Sequence, residues 1–298
     1  NVEPCRKVIQ DAFEQNITHA PGMEHVREMV TGPIIPTPGA VMECTKLLYE
    51  YLGDLIVLDV GGATTDLHSV TVESDQVARL MISPEPKAKR TVEGDLGVYV
   101  NRWKVVESIG EEKLREQCRE QGFSMEHALE TYRAIPKTEE EVKLVELLTR
   151  EAVVKAAERH AGRLRYIYGP SGRSTVAEGK DLTQVKYIVG TGGALTRLPH
   201  REEIMREITR CNESGMLLLP GEHAQILVDH DYIMASLGVL SKRYPQAAAR
   251  LLEQSLGITF PERKAEEPVP VCNKELSRLG TQRQQREEEL QRHIEECE

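Results

Sequence analysis

The hydrophobic pattern changes most abruptly over "LIVLDVGGATTD", Leu55–Asp66, where a continuous apolar run gives way to two glycines, hydroxyls and an acid. Such a run bounded by glycine predicts a strand buried on both faces, followed by a tight turn. "VKYIVGTGGALTRLPHREEIMREI" repeats the arrangement as a second strand, glycine turn and helix. Between them, "DLHSVTV" and "QVARLMIS" read as the arms of a hairpin around "ESDQ", "RYIYGPSGRSTV" as a hairpin about a glycine-proline turn, and "HAQILV" as a short later strand.

Helical spacing fills the intervals. After the break at Pro33, Pro36 and Pro38, the apolar residues Val41, Leu47, Leu48 and Tyr51 predict a helix. "EGDLG", with Glu93, Gly94 and Asp95, reads as the acidic lead-in to another helix. Glu111 to Ala161 is charged and helical, interrupted at "AIPKTEEE", where Thr138 and Glu141 have the spacing of a capping box. The stripe Val142, Val145, Leu148, Ala152 and Ala156 is built to pack on a sheet. "DYIMASLGVLSKRYPQAAARLLEQSLG" reads as one helix. Beyond Phe260 the prolines Pro261, Pro268 and Pro270 among charges predict a linker, and Leu276, Leu279, Leu290 and Ile294 a solvated closing helix. Strands alternating with helices define an α/β chain.

Composition narrows the function classes. With 298 residues and 40% hydrophobic content the chain can build one large or two ordinary domains. Its 48 acidic against 38 basic residues, a net charge of -10, argue against nucleic acid as a partner. No apolar stretch approaches the roughly 20 residues that span a bilayer, so a cytoplasmic protein without membrane contact is expected. The cysteines Cys5, Cys44, Cys118, Cys211, Cys272 and Cys297 are scattered and read as reduced thiols rather than a metal site. "HAQILVDHD", His223–Asp231, could in principle coordinate a metal; the simpler reading is a polar loop in which Asp229 or Asp231 caps a helix.

The glycine turns invite comparison with phosphate binders. There is no GxxxxGK[ST], and "GTGGAL" lacks the spacing of GxGxxG, so neither a P-loop nor a dinucleotide fingerprint is supported. In "DVGGATTD" a carboxylate ends the strand and bare backbone follows. Gly61 and Gly62 would let amides approach phosphate oxygens, and Thr64 and Thr65 offer hydroxyls. Asp59 would hold water on a Mg2+ ion or orient the attacking water, with Asp66 as a second candidate metal ligand. Gly172, Arg173 and Ser174 could also touch phosphate, but a plain turn accounts for them better.

"DVGGATTD" resembles the second phosphate motif of the actin-like ATPase superfamily, and "YIVGTGGALTRLP" its adenosine motif, with Gly190, Gly192 and Gly193 under base and ribose. Together with "GPIIPTPGAV", "TVEGDLG" and "DYIMASLGVLSKRYPQAA", they resemble the glutamate mutase (methylaspartate mutase) accessory family of MutL or GlmL type, unrelated to the mismatch-repair protein of similar label. The resemblance implies a ribonuclease H-like, actin-type α/β ATPase domain, with a mixed five-stranded sheet, helices on both faces and a helical insertion. It implies ATP and Mg2+ as ligands, with Glu93 and Asp95 beside them. It further implies a chaperone that reactivates an adenosylcobalamin-dependent mutase by exchanging damaged cobalamin, with a mutase subunit as partner. A small-molecule kinase of the same superfamily and a non-catalytic actin-like scaffold are the alternatives. Members of this family should carry a first phosphate loop, which is not found before Val60. Residues 1–40 are therefore expected to be a remnant of the first ATPase domain, 41–258 the second with 111–136 as its insertion, and 259–298 linker and tail. Closure of the cleft would turn on the helices near Pro38–Tyr51 and Val142–His160. Glu111–Pro136 is the expected partner surface, and the oligomeric state is not fixed by the sequence.

Overall fold

The computed structural model describes residues 21–30, 34–170 and 172–261, with single positions at Val8, Ala12 and Asn16. The chain divides into two units at Phe260/Pro261. The closing helix expected beyond that point lies outside the described residues, as does most of 1–20.

In chain order the elements are α1 (Met23–Met29), α2 (Thr37–Leu52), β1 (Leu55–Val60), β2 (Thr65–Val70), α3 (Asp75–Ala78), β3 (Ala88–Glu93), α4 (Arg102–Ile109), α5 (Glu111–Glu120), α6 (Met125–Glu130) and α7 (Glu139–His160). They continue with β4 (Arg163–Gly169), β5 (Gly172–Glu178), β6 (Tyr187–Thr191), α8 (Gly192–Arg197), α9 (Arg201–Arg206), β7 (Gln225–Val228), α10 (Met234–Ser241) and α11 (Pro245–Leu256).

Five strands form one mixed sheet in the order β3-β2-β1-β6-β7. The β1–β2 and β2–β3 pairs are antiparallel, β1–β6 and β6–β7 parallel. β1 is central because its apolar run serves two cores at once. Ile56, Leu58 and Val60 join a core with α7, while Leu55 and Val57 join another with α2, α10 and α11. The α/β class with helices on both faces is therefore present. α7 starts at the expected capping box, with Thr138 accepting from the Glu141 amide and Glu141 accepting from the Thr138 amide. The β4–β5 hairpin also forms as the sequence predicts.

Three expectations need correction. "QVARLMIS" is not the partner of β2: Asp75–Ala78 is a short helix capped by Ser74, and β2 pairs instead with Ala88–Glu93. The serine before an acid in "ESDQ" is a cap signal that the apolar content of the segment hid. Glu93 ends a strand rather than opening a helix, and the helix begins only at Arg102. The helix expected from Asp231 to Gly257 is two, because Pro245 cannot donate to the preceding turn and instead starts α11. The segment 111–136 sends Leu114, Cys118, Phe123, Met125, Leu129 and Tyr132 into the main core.

Candidate functional site

Two glycine turns leave the sheet side by side. β1 and β6 are parallel neighbours in the register Leu58↔Gly190 and Asp59↔Thr191, so the chain after each strand emerges at the same edge. Gly192 makes their closeness tolerable. Its φ is +85°, and a Cβ there would lie 2.5 Å from Asp59 Oδ1 and 2.6 Å from the Val60 nitrogen. Gly193, next to it, is exposed, with no atom within 4 Å of where its Cβ would stand.

The turn from β1 to β2 is closed by the Gly61 amide donating to the Thr64 carbonyl at 2.9 Å. Its other carbonyls are all held from one side. Gly61 O accepts from the Val98 amide at 3.2 Å, and Gly62 O from those of Tyr99 and Val100 at 2.9 and 2.7 Å. Ala63 O accepts from Asn101 Nδ2 at 2.8 Å, and the same nitrogen donates to Gly94 O at 2.7 Å. In a trans peptide the N–H points opposite to the C=O it follows. The amides of Gly62, Ala63 and Thr64 are therefore turned away from the Val98–Asn101 segment, and Gly62 and Ala63 are exposed. Successive amides turned one way form an anion-binding concavity. The supporting segment approaches so closely that a Cβ on Gly97 would lie 2.2 Å from the Ala63 carbonyl.

Acidic side chains line one face of this edge. Asp59 and Asp66 are direct cross-strand partners. Residues opposite each other in an antiparallel pair share a face, so both lie on the side of Val57 and α2. Asp66 is buried; its Oδ2 accepts from Thr64 Oγ1 at 3.0 Å, and its Oδ1 has no hydrogen-bond partner among the described residues. Burial, and then the carboxylates of Asp66 and Asp229, push the Asp59 pKa up to about 6. Asp229 is fully committed. It accepts from Thr191 Oγ1 at 2.8 Å, Ser255 Oγ at 2.6 Å, and the Met234 and Ile233 amides at 3.0 and 3.2 Å. Through the last two it ties down the backbone at the start of α10, whose N-cap position is Ile233, and among the described residues no group of three or more His, Cys, Asp or Glu is placed to hold a metal.

Not every candidate faces the edge. Thr65 is buried with its hydroxyl donating to Leu96 O at 2.8 Å, so it braces the loop instead of turning toward a phosphate. Glu93 and Asp95 are joined to Arg159 of α7 at 2.6 and 2.7 Å, which engages both acids and holds the β3 end to the helix. Gly190 lies within the sheet, where a Cβ would meet Met205 Sδ at 2.6 Å; its role is close packing. Asp59, Gly61, Gly62, Thr64, Asp66, Gly192 and Gly193 remain together. Sequence reasoning missed Asn101, whose contacts are long-range and leave no local signal. It also missed Tyr232, a half-exposed residue at φ 55°, the sole non-glycine described at positive φ. Burial and then the charges of Asp59 and Asp229 raise its phenol pKa, which sets it near the same acids.

A mixed α/β sheet that gathers paired acids and two glycine turns at one edge defines a class of protein built to present backbone amides and carboxylates together. A family model described as MutL protein matches residues 1–256. Protein MutL of Clostridium tetanomorphum is 35% identical over 268 residues, which cover 86% of this chain and 58% of that relative. The chain belongs to the MutL protein family. It spans 58% of the length of the relative it matches.

Proposed function

We propose that the chain is part of an ATP-binding reactivating chaperone for an adenosylcobalamin-dependent mutase of glutamate mutase type. The observation that carries the nucleotide reading is the shared edge: the Gly61–Thr64 turn, with three amides turned outward, stands beside the Gly192–Gly193 turn. The sheet order, an antiparallel meander joined to parallel strands, is what a ribonuclease H-like, actin-type domain requires and supports that assignment. Family membership supports the mutase link.

The residues present fit a nucleotide with magnesium. The amides of Gly62, Ala63 and Thr64 suit phosphate oxygens, and the open backbone at Gly193 suits the approach of a flat base or ribose. Asp59 and Asp66 offer two carboxylates, one with a buried unpartnered oxygen, which matches an ion that keeps most of its waters. When bound, the ion supplies the positive charge that offsets repulsion between these acids and the phosphates. Asp59, with a pKa near 6, is suited to accept a proton from a water at neutral pH.

The test uses the complete protein with purified glutamate mutase loaded with cyanocobalamin. ATP-dependent release of the cobalamin, lost in Asp59→Ala, is expected; release without ATP, or equal release by the variant, would reject the reading. The proton affinity of Asp59 also suits a base toward a substrate hydroxyl, as in a small-molecule kinase. Phosphoryl transfer stimulated by an added sugar or acid would favour that class instead.

A further inference from the structure

The β4–β5 hairpin stands outside the main sheet. Its root is held: the Leu164 amide donates to Met216 O at 2.7 Å, the Ala177 amide to Leu80 O at 2.7 Å, and Leu164 and Ala177 pack with Val77, Met81 and Leu218. Beyond that root nothing among the described residues covers it. Tyr166 is 47% exposed, Ile167 50% and Tyr168 79%, three large apolar side chains in a row. Folding gains nothing from leaving them in water, and exposed aromatics grouped with arginine are the composition of interface centres.

Charge says what fits there. From Arg163 to Ala177 there are three arginines and no acid, although acids outnumber bases in the whole chain by 48 to 38. Arg165 is paired with Glu178 at 2.8 Å. Arg173 lies over the Tyr166 ring at 4.5 Å, and no carboxylate is within 4 Å of Arg163 or Arg173 among the described residues. A stacked guanidinium held beside exposed tyrosines keeps its in-plane donors free for a carboxylate.

We infer that the β4–β5 hairpin is a docking arm that seats on an acidic face of a protein partner, with Tyr166, Tyr168 and Arg173 as its contact residues. This rests on the chaperone reading in making that partner the mutase. It moves the recognition surface away from 111–136, whose apolar side is spent on the core. A net charge of -10 disfavours nucleic acid as the occupant even with a basic arm.

The experiment measures binding of the complete protein to immobilised glutamate mutase at low and high salt. Unmodified protein, Tyr168→Ser, Arg173→Glu and, as a control in the helical segment, Arg119→Glu are compared. Each arm variant should weaken binding at least about tenfold, as interface-centre residues do, and the Arg119 variant should leave it unchanged. Circular dichroism should not move, because both arm positions are exposed. Mutase binding unaffected by the arm variants overturns the inference while leaving the chaperone reading standing. No binding by the unmodified protein overturns both. Arm-dependent binding of a fluorescent single-stranded oligonucleotide, with none of the mutase, assigns the arm to nucleic acid and overturns the protein partner.

Discussion

Asp59 is held where its charge is costly. It is more than half enclosed, faces Asp66 across the strand pair, and has Asp229 and the Tyr232 phenol nearby. A carboxyl whose pKa rises from 3.8 to about 6 on folding binds its proton more tightly in the folded state. Its ionisation therefore subtracts stability as pH rises through that interval, and each tenfold change in proton affinity is worth about 1.4 kcal/mol. Asp59→Asn is expected to raise stability at pH 7.5 by on the order of 1–3 kcal/mol and to make little difference near pH 4. Denaturant melts at the two pH values check this; a variant equally or less stable at pH 7.5 would mean the acid is better compensated than its neighbours indicate. Stability withheld at one position in this way is what a binding or catalytic acid shows.

Elements meet here through glycines whose need is not visible along the chain. Gly238, in the middle of α10, crosses α2 so closely that a Cβ would stand 1.8 Å from Ala40 O. The atoms it would meet, in Ala40 and Cys44, all belong to the backbone, so no side chain can yield. Gly238→Ala is expected to cost at least about 2–3 kcal/mol, as overpacked cores do, read as a lower midpoint in urea. Thr138→Ala should cost about 1 kcal/mol by removing the cap of α7, again by urea melts, leaving the Glu141 carboxylate on two amides. The capping box and the runs of β1 and β6 were legible because their signals are local: a side chain bonding three residues on, or an apolar block ended by glycine. What the sequence hid was decided at a distance. The pairing of β2 with Ala88–Glu93 rather than 76–83 depends on where the chain returns, and the diversion of Thr65, Glu93 and Asp95 depends on Leu96 O and Arg159 being brought beside them. The acids and glycines of Asp59–Asp66 stayed together because one turn holds them all.

At the scale of the whole molecule, two buried histidines set the response to acid. His68 is fully buried with neither ring nitrogen partnered among the described residues, and burial lowers its pKa to about 3. His160 is buried between the hydroxyls of Ser69 and Thr91 at 2.8 and 2.9 Å, and burial holds its pKa well below 6.5. Lys89 and Lys180 lie near it and oppose its protonation further. A histidine depressed on folding contributes stability that is full above its unfolded pKa and lost as pH falls below about 6.5. Between pH 6 and 5 the unfolded chain thus holds about one and a half to two protons that the folded protein refuses, while the folded protein holds roughly half to most of one, at Asp59, that the unfolded chain refuses. His200 acts in the opposite sense to the buried pair, because its contact with Glu146 raises its pKa. For His68, His160 and Asp59 the difference is about one proton, so their combined contribution to stability should fall by about 1.4 kcal/mol per pH unit across this window. In Asp59→Asn the offsetting uptake is gone, and the slope should approach about 2.7 kcal/mol per unit. Urea melts at intervals between pH 6 and 5 distinguish the two slopes. Equal slopes would show that Asp59 does not take up its proton in this range, and a flat profile in both proteins that the histidines are not kept neutral by the core.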